Sequence, residues 1–335
     1  MGKLYLKSGW INWPYILDQG TAFTMVVGAR GTGKTYGIMK ELLNRKKPFI
    51  YLRRLKTQLD SCGKNTGNPF KRINLDTGVN VLPFSVAGNI EFRYDRKDGD
   101  LAAVGLALST VATVRGIDFS DFNYIVFDEA VAMVGEKPIK NEFEAFLNFY
   151  ETVNRNRELS GDPPVQAILL GNANKLSNPY FTGWHFMKTA IKMLRGKQMV
   201  FRTPDNSRMM VMLQDSPISK KKAQTVAYQN GNEGFISMAI DNVFRTDETK
   251  IKSEPLKEYT HIVSIGEIGI YRHKSERKYF VSGKTQLPYY DDFGIQLKMF
   301  RNDFIMLRVN YLISKNVYFE DYETELIFRE YFDLN

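Results

Sequence analysis

The sequence predicts an α/β chain whose first part is a mainly parallel sheet with ligands at its carboxyl edge, and three stretches predict it. TAFTMVVGARGTGKTYGIMKELL (21–43) passes from an apolar, β-branched run through a glycine-rich turn into a helix. FNYIVFDEA (122–130) is a short apolar run ending in Asp128 and Glu129. PPVQAILLGNAN (163–174) repeats that pattern and ends on Asn172 and Asn174. Strands buried on both faces read as unbroken apolar runs, and their polar residues collect where the strand ends.

The first strand is expected over Thr21 to Val27 and the helix over Lys34 to Asn44, stopping before Lys46-Lys47-Pro48. Between them, GARGTGKT fills every fixed position of the phosphate-loop pattern with Gly28, Gly33, Lys34 and Thr35. Glycine lets the backbone curl until its N–H groups face a phosphate, and the helix start adds unpaired donors and a positive dipole end. Gly28, Ala29, Arg30, Gly31, Thr32, Gly33, Lys34 and Thr35 are therefore the expected nucleotide contacts. Lys34 is placed to reach the β- and γ-phosphates of ATP, and the Thr35 hydroxyl to join a Mg²⁺ shell. Arg30 reaches a neighbouring phosphate or faces solvent at a variable loop position.

The next elements follow in order. PFIYLRRLK (48–56) gives a second strand ending at Arg53, Arg54 and Lys56. Residues 89–96 open a hairpin that turns at Asp98-Gly99, and 102–109 is a further apolar run leading to ATVRGIDFSDF. At the end of the Tyr124–Phe127 strand, Asp128 is the expected metal-orienting carboxylate and Glu129 the carboxylate that polarises a water for attack. Residues 141–154 form a helix on Phe143, Phe146, Leu147, Tyr150 and Val153. Asn172 senses the γ-phosphate or the attacking water, or caps its own turn. Arg155 and Arg157 follow the helix; either one faces a neighbouring subunit's γ-phosphate or serves as a cation at a helix C-terminus. Arg115 has the same two readings and a weaker claim.

A length of 335 residues fits two domains, and 43% hydrophobic residues can build a real core. The formal charge of +9, from 46 Lys and Arg against 37 Asp and Glu, leans toward an anionic partner, with nucleic acid ahead of a membrane surface. Cys62 stands alone, which excludes an internal disulfide framework and a thiolate-rich zinc site. The opening MGKLYLKSGWINW lacks the marks of a signal peptide, and no run is long enough to span a bilayer.

GARGTGKT (28–35), FIYLRR (49–54), YIVFDEA (124–130), TVNRNRE (152–158) and GNANKLSNPYF (171–181) together resemble the genome-packaging ATPases of phi29-type tailed bacteriophages. The likeness to large terminase subunits is more distant. Through about residue 185 the blocks fall in the family's order; beyond it SMAIDNVF (237–244) is one remaining echo. The resemblance implies an ASCE/RecA-like P-loop ATPase domain over residues 1–199 with Glu129, Lys34 and Arg155 catalytic, Arg155 acting in trans. Thr35 and Asp128 would hold the metal. It implies a homomeric ring, commonly a pentamer, on the portal (connector) of a procapsid in the host cytoplasm, driving double-stranded DNA inward with no membrane involved. A structural packaging RNA serves some members and is left open here.

Residues 200–232 read as a linker with a small helical unit, containing a methionine-rich strand at Ser207–Gln214 and the run Lys220-Lys221-Lys222. From 233 to 335, strands are expected at 260–265, 269–272 and 278–282, and helices at 290–300 and in DYETELIFREYF. That pattern fits an α/β domain of RNase H type. The strand pair HIVSIGEIGIYRH carries Glu267 alone, whereas a nuclease needs two or three converging carboxylates, so the domain is expected not to cleave. Basic residues 272, 274, 277 and 278 suit a phosphate backbone or are ordinary hairpin charges. The alternatives to a translocating ATPase are a terminase with an active nuclease and a nucleotide-switched nucleic-acid-binding assembly factor.

Overall fold

The computed structural model describes residues 4–113, 118–133, 136–172, 178–214, 216–218, 225 and 250–334. Arg115, Asn174, Lys220, Lys221, Lys222, the segment 237–244 and the expected boundary at 232/233 lie outside the described residues. The described residues fall into two compact units, one running to Asn172 and resuming at Lys192, the other made of 178–191 and 250–334.

In the first unit, nine strands form one sheet: β1 (Phe23–Gly28), β2 (Phe49–Arg53), β3 (Val81–Val86), β4 (Asn89–Tyr94), β5 (Leu101–Ala107), β6 (Tyr124–Phe127), β7 (Gln166–Asn172), β8 (Val200–Arg202) and β9 (Arg208–Met212). Their order is β3-β4-β5-β2-β6-β7-β1-β9-β8. The strands from β5 through β9 in that order run parallel, while β4, β3 and β8 are antiparallel additions at the two edges. The third and fourth strands of the chain are joined at Ala87-Gly88, and the Asp98-Gly99 turn joins β4 to β5. Strand β7 lies between the phosphate-loop strand β1 and the acidic strand β6, the insertion expected of an ASCE-type sheet. Residues 200–212, expected as the start of a linker, instead complete this sheet through β9, which pairs with β1. Their apolar side chains, Met209, Met210, Val211 and Met212, are buried there.

Helices α1 (Trp13–Leu17), α2 (Lys34–Asn44), α3 (Lys56–Cys62), α4 (Lys71–Thr77) and α5 (Glu142–Asn154) belong to the same unit. Helix α2 has the limits its spacing predicts and buries Ile38, Met39, Leu42 and Leu43. Helix α5 places Phe146 against Phe127 with ring centroids 5.7 Å apart, and Tyr150 against Phe23 at 4.4 Å. Another aromatic group, Phe49, Phe70, Phe92 and Tyr51, fills the core beside β2.

Arg54, only 1% exposed, anchors the start of α5. Its Nε and Nη2 donate to the two carboxylate oxygens of Glu142 at 2.8 and 2.7 Å, and Nη1 donates to Glu136 at 2.9 Å. Paired, such a buried cation is tolerated; stripped of its partners it is costly, and so are carboxylates left without it.

The second unit holds β10 (Tyr259–Ile265), β11 (Ile268–His273), β12 (Tyr279–Ser282), β13 (Tyr289–Tyr290) and β14 (Val317–Phe319), in the order β13-β10-β11-β12-β14. The first three form an antiparallel meander, with β13 parallel to β10 and β14 parallel to β12. Its core is Val263, Ile265, Ile270, Val281, Phe300, Phe319 and Phe328. The helix expected from Tyr290 begins at Gly294, because Tyr290 is taken up by β13. Among the described residues no helix is long and apolar enough to cross a membrane.

Replacing Arg54 by Ala is expected to lower the stability of the first unit by about 3–5 kcal/mol, since it leaves Glu142 buried without its cation. Replacing the more exposed Arg45, paired with Asp18 and Glu41, should cost about 1 kcal/mol or less. Urea unfolding of both variants checks the contrast; equal losses would refute it.

Candidate functional site

Parallel strands end on the same side of a sheet, and here the register brings four of those ends together. Gly28 of β1 lies opposite Asn172 of β7, Leu52 of β2 opposite Phe127 of β6, and Phe127 opposite Leu169 of β7. The residues just beyond, Ala29, Arg53, Asp128 and Asn172 among them, therefore meet at one edge.

The glycine-rich turn is built as its pattern demands. Gly33 has φ +83° at the N-cap of α2, a conformation that disfavours any side chain. The Thr32 hydroxyl donates to the Ala29 carbonyl at 3.0 Å and fastens the curl. Lys34 is 8% exposed, and its ammonium donates to the carbonyls of Gly28 and Ala29, both at 2.8 Å, and to Asn172 Oδ1 at 3.2 Å. The ammonium thus lies across the mouth of the loop.

Thr35 Oγ1 donates to Asp128 Oδ1 at 2.7 Å. The other carboxylate oxygen accepts from Tyr51 OH and Arg53 Nη1, each at 2.9 Å. Arg53 Nη2 reaches Glu129 Oε2 at 2.5 Å, so one guanidinium bridges two consecutive carboxylates. Glu129 has φ +52° and a side chain 40% exposed: its backbone is turned out of the strand path and its carboxylate faces the opening. The Arg53 guanidinium is lowered by burial, but Tyr51, Asp128 and Glu129 outweigh that and keep it firmly protonated. Burial, then the Asp128 charge, pushes the Tyr51 phenol well above its ordinary value.

Arg30, Lys34, Thr35, Asp128, Glu129 and Asn172 line a cleft of about 460 Å³. Its chemistry suits a magnesium–polyphosphate. A hydroxyl that donates to Asp128 still offers its oxygen lone pairs to a hard cation, and the Lys34 ammonium and loop N–H groups suit the anion.

Two expected residues stand apart. Arg155 caps the C-terminus of α5 with φ +40°, 58% exposed, 3.6 Å from Asp118, and does not line the cleft. Arg157 is occupied in holding the approach to β6, donating to Asn123 Oδ1, Ser120 O and Phe122 O. Conversely, Tyr51 and Arg53 belong to the site and were not singled out from the sequence. Their signal is their place at the end of the strand that pairs with β6, a neighbour relation no local pattern records.

The profile of the podovirus DNA encapsidation protein (Gp16) family matches residues 6–286. The DNA packaging protein of Bacillus phage B103 is 28% identical over 260 residues, covering 75% of this chain and 73% of that protein. That of Bacillus phage phi29 is 27% identical over 265 residues, covering 77% and 73%. The solved structure of the Phi-28 gp11 DNA packaging motor shares the fold over 98% of this chain and 99% of its own, at 20% identity and a TM-score of 0.59.

Tyr51 gives the site a pH signature. An unfolded tyrosine ionises near pH ~10, whereas Tyr51 keeps its proton well beyond that, so its contribution is complete below about pH 10 and is lost as pH climbs toward the folded value. The unfolding free energy should fall above that pH, and Tyr51→Phe should flatten the fall. Urea unfolding between roughly pH 9 and 11 checks it; identical pH slopes in the two proteins would refute it.

Proposed function

Because the chain belongs to the podovirus DNA encapsidation protein (Gp16) family, we propose that it is an ATP-hydrolysing motor that moves double-stranded DNA into a preformed procapsid. It works as a homomeric ring, which we take as a pentamer, at the portal vertex, in the host cytoplasm. The observation that carries the reading is the convergence of Lys34, Thr35, Asp128, Glu129 and Asn172 on one cleft at the end of a parallel sheet.

The residues divide the work by their chemistry. Loop N–H groups and the Lys34 ammonium hold the β- and γ-phosphates, the ammonium trading its contacts with the Gly28 and Ala29 carbonyls for phosphate oxygens. Thr35 and Asp128 hold Mg²⁺, which when bound neutralises charge on the β- and γ-oxygens. Glu129 orients a water and accepts its proton as the oxygen attacks the γ-phosphorus. Asn172, which accepts from Lys34, lies where it can register whether the γ-phosphate is present. Arg155 supplies positive charge to a neighbouring subunit's γ-phosphate. We read the second unit as an RNase H-like domain that contacts DNA and does not cleave it, a reading that the β10–β12 meander supports.

Lys34→Ala is expected to weaken MgATP binding tenfold or more. Glu129→Gln should bind within a few-fold of the unmodified protein yet hydrolyse about 10²–10⁴ times more slowly. Calorimetry with a phosphate-release assay, run with and without DNA, tests both. Undiminished turnover by Glu129→Gln would remove the assigned base, and turnover indifferent to DNA would favour a switch over a motor.

Arg155→Ala subunits should bind ATP normally and, once assembled, hydrolyse it about 10³-fold or more slowly. Mixed rings with Glu129→Gln subunits should recover part of the rate, because some interfaces then hold both intact groups. No recovery in rings of verified mixed composition would refute action across the interface.

A further inference from the structure

We propose that a second cavity, beside the phosphate loop and walled by Trp10 and Tyr36, receives the base of the bound nucleotide, and that it selects a purine by stacking without reading its hydrogen-bonding edge. This inference rests on the phosphate-loop assignment and extends it to the other end of the ligand.

The cavity measures about 690 Å³, within the range of small-molecule sites, and Gly31, Gly33 and Tyr36 line both it and the phosphate cleft. A nucleotide with its phosphates at Lys34 and Thr35 thus finds an apolar chamber next to them, entered past the residue that follows Thr35.

Trp10 is 45% exposed and Leu6 47% exposed, and both line this cavity. They are held there by a tight turn: Leu6 N–H donates to Trp10 O, Gly9 N–H donates to Leu6 O, and Tyr5 bridges to Ile11. The indole packs on the loop itself, since a Cβ on Gly33 would lie 2.7 Å from Trp10 Cε3. Two large apolar side chains left open to water beside a polyphosphate cleft, in a fixed position, form a ready stacking wall.

The polar atoms around the chamber are largely spoken for. Tyr36 OH donates to Asp76 Oδ2 at 3.0 Å, Arg72 Nε donates to the same oxygen at 3.0 Å, and Arg72 Nη2 pairs with Asp76 Oδ1 at 3.0 Å. Glu41 is engaged by Arg45 at 2.7 Å. A site that discriminates strongly by base edge needs polar groups left to pair with that edge, and a stacking site does not. Ring area then decides: a purine covers more of the Trp10 and Tyr36 faces than a pyrimidine does, and adenine and guanine cover them alike.

The test is calorimetric titration of the full chain with the magnesium complexes of ATP, GTP, CTP and inorganic tripolyphosphate. Stacking on an aromatic side chain corresponds to a change of about 5- to 100-fold in affinity. Trp10→Ala should therefore bind ATP at least fivefold more weakly while binding tripolyphosphate as before, and Trp10→Phe should keep most of the affinity. Tyr36→Leu, on the other wall and away from the turn, should repeat the loss should Trp10→Ala disturb the loop. GTP should bind within several-fold of ATP, and CTP clearly more weakly than either. Full ATP affinity in both Trp10→Ala and Tyr36→Leu would overturn the inference, as would a preference for ATP over GTP beyond about 100-fold. Absence of both ATP and tripolyphosphate binding in the unmodified protein would instead fault the phosphate-loop assignment beneath it.

Discussion

Asp128 and Glu129 are consecutive carboxylates at the mouth of a buried strand, and that placement is tolerable because Arg53 bridges them. Removed from bulk water, two negative charges one residue apart raise each other's energy, and Asp128 is 7% exposed. The guanidinium suits the task better than an ammonium would, since its planar fork presents separate N–H groups to separate acceptors. Tyr51 adds a neutral donor to Asp128, and Thr35 engages the remaining oxygen, so the aspartate has little freedom. Glu129 has one such partner and a 40% exposed side chain, which leaves it the mobile member of the pair.

The next residue in the chain does a different job. Arg54 is turned to Glu136 and Glu142, and so fixes the loop leaving Glu129 and the first residue of α5. Gln58 Nε2 donates to the second oxygen of Glu136 at 2.5 Å, and Met133 N–H also donates to that residue, at 3.0 Å. The end of β2 therefore sets both the charge balance of the acidic strand and the path of the chain beyond it. Lys34 completes the arrangement from the opposite side. Its contacts with two loop carbonyls and Asn172 tie β1 to β7, and they are weak enough individually to be exchanged for phosphate oxygens.

What the sequence made legible was local: the loop, α2 with both its limits, the β6 run, the body of α5 and the methionine-rich strand β9. Each has a period or a turn that a short window contains. What it hid depends on neighbours. Strand β3 includes Pro83, which argues against a strand unless it lies at an edge, and the order of the sheet puts it there. Helices α3 and α4 are seven residues each and carry mostly polar side chains, too short for an apolar stripe to register. The pairing of β9 with β1 made part of an expected linker into sheet, because buried methionines find their partners only in three dimensions. Arg53 illustrates the limit for the site: FIYLRR was visible, but that its first arginine meets Asp128 follows from β2 lying beside β6.

The same strand polarity decides what Arg155 cannot do for its own cleft. Helix α5 starts beside Arg54, at the edge where the parallel strands end, and runs 13 residues back toward the edge where they begin. At 1.5 Å per residue that is about 20 Å, several times the reach of an arginine side chain. At the far end, Arg155 meets Asp118 and Arg157 meets Asn123, both ahead of β6. A cation at that end is in place to quiet the unpaired carbonyls of α5, and the backbone N–H of Arg155 already serves one, Glu151 O, at 2.9 Å. Yet a side chain employed for that purpose would fold back on the helix end, whereas Arg155 is 58% exposed with a loose 3.6 Å contact. A charge held outward at the edge opposite the phosphate cleft is positioned for a second copy of the chain, whose cleft faces the other way along the sheet. Head-to-tail contact of that kind is heterologous and closes into a ring when the rotation between copies allows it.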